Sequence, residues 1–339
     1  MQLAQIQVLE TSHISLHRKH KLIANIHEGP AYDKDCLRSR VNEALDEMIA
    51  CGTFRADTLT DVTADNVRTS ALETLLEIKA ERKSEIDVRV ASYSPLGFKD
   101  CEPDRWEVFE AGARQADFIS ALPEADDQDE YPDHIGFEEH CKRMLELSVK
   151  LNIPIHVHTD QRNEPSESGT ERLIEVVRRH GGPQPVDGQP QMWVVHMVSP
   201  STYEEQRFET MVQALLDHHI GVICCPSAAV GMRQLRPIQT PTYNSIPRVL
   251  DLMAAGVPVR LACDNIADIC SPSTTADLTD EVFVLSAALR FYNIDILAKL
   301  AAGVALSASD VNFIRDHLAA DKREIQKVID EIYQETDSV

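Results

Sequence analysis

Short apolar runs alternate with longer amphipathic stretches along most of the chain. Runs of apolar and β-branched residues bounded by polar or turn residues predict strands, and apolar residues at helical spacing predict helices. The predicted strands are His13–Leu16, Phe54–Leu59, Ile86–Tyr93, Phe118–Leu122, Pro154–Thr159, Met192–Val198, Gly221–Pro226 and Val257–Cys263. The predicted helices between them include Ala71–Arg82, Ile135–Leu151, Glu171–His180, Tyr203–His218 and Val249–Ala255, preceded by one with Asp35 as its cap and Gly52 at its end.

This alternation of strands and helices predicts the fold. It implies parallel strands joined by right-handed crossovers. Eight repeats favour a closed (β/α)8 TIM barrel, an α/β fold, over an open doubly wound sheet. No GxGxxG motif follows the first strand, which argues against dinucleotide binding. We expect one domain over residues 1–339, with the barrel at about 12–305 and a long C-terminal helix at about 307–335. That helix is expected to pack on the outside of the barrel, with an oligomer contact, and hence a homo-oligomer, as the alternative.

Composition and charge narrow the class of partner. Of the 339 residues, 43% are hydrophobic and 26% charged, which is ordinary for a globular protein. A net charge of -22 argues against nucleic acid or an anionic membrane as partner, and favours a small-molecule substrate that is neutral or cationic. The absence of a signal peptide and of an apolar run of about 18 residues predicts a cytoplasmic protein without a membrane span.

Polar residues at three predicted strand ends suggest chemistry. The catalytic residues of such barrels lie at the C-terminal ends of the strands, and His158, His196 and Asp264 occupy those positions. One histidine in a strand is usually structural, but strands that converge on one mouth bring all three together. Imidazole and carboxylate are good ligands for zinc or iron(II), and such an ion lowers the pKa of a bound water to about 7. An aspartate beside that water accepts its proton, and a histidine nearby stabilises the developing negative charge.

Several other polar residues carry two interpretations. Asn265 and Asp268 follow Asp264 and are candidates for substrate contact, although Asp268 suits a turn cap equally well; Arg233 is either a substrate ligand or a solvated loop arginine. We expect the acidic run at 126–130 to be a solvated loop and His156 to be a core histidine. His17, His20 and His27 lie in the predicted first loop and are expected to have no particular role, with a replacement metal ligand as the alternative. Cys224 and Cys225 are adjacent in a strand, so at most one of them faces the barrel interior.

Several stretches, in this order and spacing, resemble a known family. They are Leu45–Thr53, Ala71–Lys79, Ile86–Val90, Pro154–Gln161 and Pro247–Val259, the last followed by Asp264–Asp268. From about Ser12 to Pro272 the chain resembles the cytosine-deaminase-like branch of the amidohydrolase superfamily, which includes isopropylammelide amidohydrolases. The resemblance implies a barrel that holds a divalent metal ion, zinc or iron, and hydrolyses C–N bonds.

The resemblance also assigns roles to individual residues. His13 matches the first histidine of the family's HxH metal motif, and His158 and Asp264 match two further ligands. His196 matches the family's sixth-strand histidine; we expect Asp264 and His196 to be catalytic and Gln161 to contact the substrate. The β-sandwich strands usual in the superfamily are not expected in this chain.

Four positions depart from the family pattern. Ser15 replaces the second HxH histidine, so we expect weaker metal binding than at an intact motif. Leu59 and Pro95 stand where the family has a histidine and a substrate-binding glutamine, and Gln161 stands where its deaminases have a proton-shuttling glutamate.

The sequence supports two functional hypotheses, an enzyme and a protein without hydrolase activity. The first is a metal-dependent hydrolase that acts on a C–N bond of a small cyclic or amide substrate. Deamination of the cytosine type is disfavoured, because Gln161 has no titratable proton to deliver to a ring nitrogen. The alternative is a metal-free barrel, either a ligand-binding pseudoenzyme or an enzyme that is not a hydrolase.

Overall fold

A parallel sheet forms the centre of the molecule. The computed structural model describes residue 19 and residues 22–231, 246–268, 271 and 273–336. Within these residues seven strands pair in chain order, β1 to β7, in one parallel sheet. The strands are β1 Arg55–Asp61, β2 Asp87–Tyr93, β3 Phe118–Ala121, β4 Ile155–Thr159, β5 Met192–His196, β6 Ile220–Cys224 and β7 Val259–Leu261.

All seven strands coincide with predicted runs, and the α/β barrel prediction is confirmed as a curled sheet that forms a partial barrel. The predicted strand His13–Leu16 lies outside the described residues. Strand β5 ends two residues before its predicted end because His196 and Met197 both have positive φ, at 74° and 49°, which takes the backbone out of the sheet.

Helices follow the strands as the alternation predicts. Within the described part of the chain, three short 3-10 helices occur in the connections: Pro30–Tyr32, Pro123–Asp126 and Ser199–Thr202. The α-helices of the described residues are α1 Ile23–His27, α2 Lys34–Ala50, α3 Ser70–Arg82, α4 Asp104–Ala113, α5 Phe137–Leu151, α6 Gly169–His180, α7 Glu205–Asp217, α8 Pro226–Gly231, α9 Val249–Ala255, α10 Leu278–Leu289, α11 Ile294–Ala301 and α12 Ala308–Thr336.

The six helices predicted between the strands are confirmed to within a few residues, whereas α1, α4, α8, α10 and α11 were not predicted. Two of these have cap signals that the sequence carries: the side chain of Asp277 accepts the Thr279 N–H, and that of Asn293 accepts the Ile296 N–H. The prediction that Asp35 caps α2 is wrong. The helix begins at Lys34, so Asp35 lies in its first turn, where a carboxylate faces the positive end of the helix dipole.

The core lies between the sheet and the helices that cover it. Every residue of β3, β4, β5 and β6 is buried, so these strands are covered on both faces. Helix α5 contributes Phe137, Met144 and Leu145 to the largest apolar cluster. Each such buried side chain stabilises the fold by about 1.5–3 kcal/mol. In β6, a Cβ at Gly221 would lie 2.4 Å from the Trp193 ring, so glycine is required where this ring packs on the neighbouring strand.

The long C-terminal helix α12 is confirmed. Its N-terminal half packs on the barrel, with Ile314 fully buried and the Arg315 Nε donating to the Ala254 carbonyl at 2.8 Å. Further along the helix, Ile325 and Val328 are exposed. Among the described residues, no helix is long and apolar enough to cross a lipid bilayer.

Two sequence-based expectations about polar residues are wrong. Asp126 is fully buried rather than solvated, and it accepts hydrogen bonds from the Phe98 N–H (2.7 Å), His134 Nδ1 (2.7 Å) and His140 Nδ1 (2.6 Å). The run at 126–130 is therefore anchored at its first residue, because a buried carboxylate requires donors.

His27, for which no role was expected, is also buried. Its ring lies between two carboxylates, with Nδ1 2.6 Å from Asp65 and Nε2 3.0 Å from Asp61, and so joins α1 to the end of β1. His17 and His20 lie outside the described residues.

Candidate functional site

His158 is held in one orientation by the neighbouring strand. Its Nδ1 lies 3.2 Å from the Ala121 carbonyl oxygen and 3.4 Å from the Ser120 hydroxyl, both at the end of β3. A carbonyl oxygen only accepts, so the hydrogen bond to Ala121 places the proton on Nδ1. Nε2 is then the nitrogen with a lone pair, which is the tautomer that a metal ligand or proton acceptor needs.

The three strand-end residues predicted from the sequence converge. The rings of His158 and His196 have their centroids 5.3 Å apart, and His196 Nε2 lies 3.9 Å from Asp264 Oδ2. Parallel pairing explains this, because Thr159 is level with His196 in the register of β4 and β5. Burial raises the pKa of Asp264 although His158 nearby lowers it, so a cation in this site would have to offset the cost of the buried charge.

Cys225 joins this group and was not predicted as a ligand. One donor atom from each of His196, Cys225 and Asp264 can be chosen so that all lie within 4.8 Å of one another. Zinc ligands at about 2.0–2.3 Å from the ion are about 3.3–3.8 Å apart in a tetrahedron, so these donors need only small movements to hold zinc or iron(II). The available signals were its position near the C-terminal end of a predicted strand, as for the other three residues, and the alternation that sends Cys224 to the opposite face.

The predicted ligand set and this observed cluster overlap at Asp264. His158 lies beside the cluster, next to His196, rather than within it. The other predicted ligand, His13, lies outside the described residues, as does Ser15.

The backbone is strained where the chain leaves the strands at this mouth. Asp160, His196, Met197 and Asp264 have φ values of 59°, 74°, 49° and 62°. This left-handed region is uncommon for residues other than glycine, costs about 1–3 kcal/mol per residue, and clusters at functional sites. At Asp160 the cost is offset by its buried carboxylate, which accepts N–H groups of Gly169 (2.7 Å) and Thr170 (2.9 Å) at the start of α6.

The predicted substrate-binding residues have different environments. Gln161 is buried at the end of β4, and its Nε2 donates to Glu124 Oε2 at 2.9 Å. Asn265 is exposed at the mouth and donates its N–H to Asp264 Oδ1 at 2.8 Å. Asp268 accepts the Ser271 N–H at 2.8 Å and closes a turn, in agreement with its structural interpretation. Arg233 lies outside the described residues.

Two acidic residues that were not singled out in the sequence border the same strand ends. Glu124, in the 3-10 helix after β3, accepts the Asp160 N–H at 3.1 Å as well as the Gln161 amide. Glu167, in the loop before α6, accepts the Arg162 N–H at 2.8 Å and the Ser199 hydroxyl. No motif identifies them, because they come from loops whose paths only the fold determines.

The comparisons with known proteins agree with this architecture. No family model matches the chain. The structure superimposes on 5-methylcytosine deaminase from Klebsiella pneumoniae with a TM-score of 0.72 and 19% identity, covering 86% of this chain and 67% of that one. On N-isopropylammelide isopropylaminohydrolase from Burkholderia multivorans the TM-score is 0.58 at 16% identity, covering 76% and 59%.

In sequence, the chain is 22% identical over 263 residues to a pterin deaminase of Rhizobium rhizogenes, covering 76% of this chain and 55% of that protein. The resemblance predicted from the sequence is therefore confirmed in the fold, and the chain has the α/β fold of these TIM-barrel structures. It spans between about half and two thirds of the length of these proteins.

Proposed function

We propose that this protein is a metal-dependent hydrolase that cleaves a C–N bond of a small cyclic substrate. The observation that carries the proposal is the cluster of His196, Cys225 and Asp264 donors within 4.8 Å at the ends of β5, β6 and β7. Three different ligand types on three successive strands are more than a barrel needs for stability. His158 beside the cluster, and His13 from the predicted first strand, are the further candidate ligands.

The residues divide the chemistry between them. When bound, a divalent ion would lower the pKa of a water molecule and polarise the carbon under attack. One oxygen of Asp264 would hold the ion, and the other would accept the proton of the attacking water. A histidine nitrogen beside it would stabilise the negative charge that develops on the substrate.

The substrate class follows from the relatives and from the charge of the chain. The proteins similar in structure are named for the deamination of 5-methylcytosine and for removing isopropylamine from isopropylammelide, and a protein similar in sequence is named a pterin deaminase. We therefore propose a nitrogen heterocycle that carries an amino or alkylamino group. The net charge of -22 suits a neutral or cationic ring. Asn265 and Asp268, and Arg233 from outside the described residues, are the proposed contacts for its polar edges.

The test combines metal analysis with assays of product release. The purified full chain would be analysed for bound metal, stripped with a chelator, and reloaded separately with zinc and iron(II). Each form would be assayed for release of ammonia or amine from cytosine, 5-methylcytosine, pterin and isopropylammelide. We expect close to one ion per chain and activity only in a reloaded form. If the protein binds no metal and stripping changes nothing, the alternative of a metal-free barrel replaces this proposal.

A further inference from the structure

We propose that Glu124, positioned by Gln161, is the proton donor of the reaction. This inference rests on the proposed function and supplies the group that is missing from the glutamine position. An amide donates hydrogen bonds but has no proton to transfer at neutral pH, so a deaminase with Gln161 needs a carboxyl group from elsewhere in the chain.

The geometry brings Glu124 to the strand ends that hold His158. The carbonyl of Ala121, the last residue of β3, holds His158 Nδ1. Glu124 follows Ala121 by three residues, and its side chain reaches the end of β4. There Oε1 accepts the Asp160 N–H at 3.1 Å, and Oε2 accepts a hydrogen bond from the Gln161 amide at 2.9 Å. Both anchors follow His158 within three residues, so the carboxyl group lies beside the mouth of the barrel.

The chemistry of the two side chains distinguishes their roles. The buried Gln161 amide has no proton to transfer, whereas Glu124 is a carboxyl group at the same strand end. The arrangement therefore suits a positioning role for Gln161 and a reacting role for Glu124. A carboxylate held by two fixed N–H donors also loses little freedom when it reacts.

The charged groups that face Glu124 favour its protonated form. Burial, then the charges of Glu167 and Asp160, raise the pKa of Glu124 well above its ordinary value, while Arg162 and the hydrogen bond from Gln161 oppose them. Burial and Asp160 also raise the pKa of Glu167, to about 7. A general acid works best when its pKa lies near the working pH. Burial and the two neighbouring carboxylates shift the pKa of Glu124 in that direction.

The proton transfers balance for hydrolytic deamination. As the water oxygen bonds to the ring carbon, the C=N electron pair moves to the ring nitrogen, which takes the proton from Glu124, and Asp264 takes one proton of the water. The bond to the exocyclic nitrogen then breaks with its electron pair, and this nitrogen leaves as ammonia with the proton from Asp264. The remaining hydroxyl proton returns to Glu124 as the ring carbonyl forms.

Two variants and one matched control test the proposal in the metal-loaded full chain. Glu124→Gln keeps the shape but removes the proton, and we expect kcat to fall by about 100- to 10,000-fold with unchanged metal content and unfolding temperature. Adding Gln161→Glu to this variant returns a carboxyl group to the adjacent position, and part of the activity should recover. Glu209→Gln makes the same change on the exposed surface of α7 and should leave kcat unchanged.

Two further measurements separate proton donation from a structural role. In the wild type, kcat should fall as pH rises through the pKa of Glu124. Glu167→Gln removes a neighbouring negative charge that raises this pKa, so in that variant kcat should fall at a lower pH than in the wild type. Infrared difference spectra of wild type against Glu124→Gln should contain the band of a protonated carboxyl group at neutral pH, independently of turnover.

The outcomes distinguish this inference from the proposed function. If the metal-loaded wild type hydrolyses none of the heterocycles, the proposed function fails. If the wild type is active but Glu124→Gln keeps its kcat and the pH profile unchanged, only the assignment of Glu124 is overturned. If Glu124→Gln does not fold, the pH profile of Glu167→Gln decides, because that measurement does not use the Glu124→Gln protein. A profile that does not shift from that of the wild type rejects the assignment.

Discussion

The Nε2 atom of His196 lies 3.9 Å from the Oδ2 atom of Asp264, although these residues end two strands that are not neighbours in the sheet. Strand β6 separates them, and Cys225, which directly follows β6, lies close to both. Curvature of the sheet brings the three strand ends together, so substitutions at these residues should act on one site.

Asp264 is the residue on which activity should depend most. Asp264→Asn keeps the shape and one oxygen ligand but removes the charge and the proton acceptor, so we expect a loss of about 100- to 10,000-fold in kcat together with a lower metal content. His196→Asn should cost less, because it leaves the proton acceptor in place. Steady-state kinetics on the best substrate and metal analysis measure both effects. Asp217→Asn, on the exposed end of α7, is the control and should behave like the wild type. Near-full activity of Asp264→Asn would refute the assigned role.

Cys224, the last residue of β6, and Cys225, which follows it, form a matched pair, because both are buried but belong to different apolar clusters. With cobalt(II) as the probe ion, a thiolate ligand gives an intense near-ultraviolet charge-transfer band. We expect Cys225→Ala to lose this band and most of the bound metal. Cys224→Ala should keep both and show only the small loss of stability that follows from removing a buried sulfur atom. An unchanged band in Cys225→Ala would exclude the thiol as a ligand.

Asp126 should stabilise the fold most strongly above acidic pH. Burial opposes its charge, but hydrogen bonds from His134, His140 and the Phe98 N–H lower its pKa below the ordinary 3.8. The unfolded chain therefore takes up this proton first, and the contribution is present above about pH 3.8 and lost as pH falls towards the folded-state value. We expect Asp126→Asn to lower the free energy of unfolding by about 3 kcal/mol at pH 7.

Urea unfolding at pH 7 and at pH 3 measures this effect, and the difference between variant and wild type should shrink at the lower pH. Asp129→Asn, in the exposed part of the same loop, is the control. An equal difference at both pH values would mean that Asp126 acts through packing rather than through its charge.

His27 should make the attachment of α1 depend on pH in the opposite sense. Burial lowers its pKa, but Asp61 and Asp65 outweigh this and raise it above 6.5. The contribution of His27 is therefore fully present below about pH 6.5 and is lost as pH rises through the folded-state pKa. The protection of residues 23–32 against hydrogen exchange, relative to an unstructured chain at the same pH, should fall over that range in the wild type.

His27→Gln should exchange fast at every pH, whereas His180→Gln, at the exposed end of α6, should follow the wild type. If the protection of residues 23–32 relative to an unstructured chain does not change with pH in the wild type, the pairing of His27 with the two aspartates does not hold α1 in place.

The strands and most helices could be predicted because their signals are local. A run such as Ile155–Thr159 is apolar enough to be buried on both faces, and Val249–Ala255 has helical spacing and a glycine directly after it. The order of these elements implies a parallel barrel, and a barrel places strand ends at one mouth. His158, His196 and Asp264 could therefore be selected together from the sequence alone.

Only the tertiary structure decided which other residues meet them. Cys225 reaches the site because β6 lies between β5 and β7 in the curled sheet, and Glu124 meets Gln161 because the loop after β3 turns towards β4. Asp126 belongs to an acidic run that predicts a solvated loop, but the fold buries its carboxylate against His140. The spacing of apolar residues along the chain determines which face of a strand or helix is buried. Contacts between distant loops depend on the register and curvature of the whole sheet, and these cannot be predicted from a local sequence pattern.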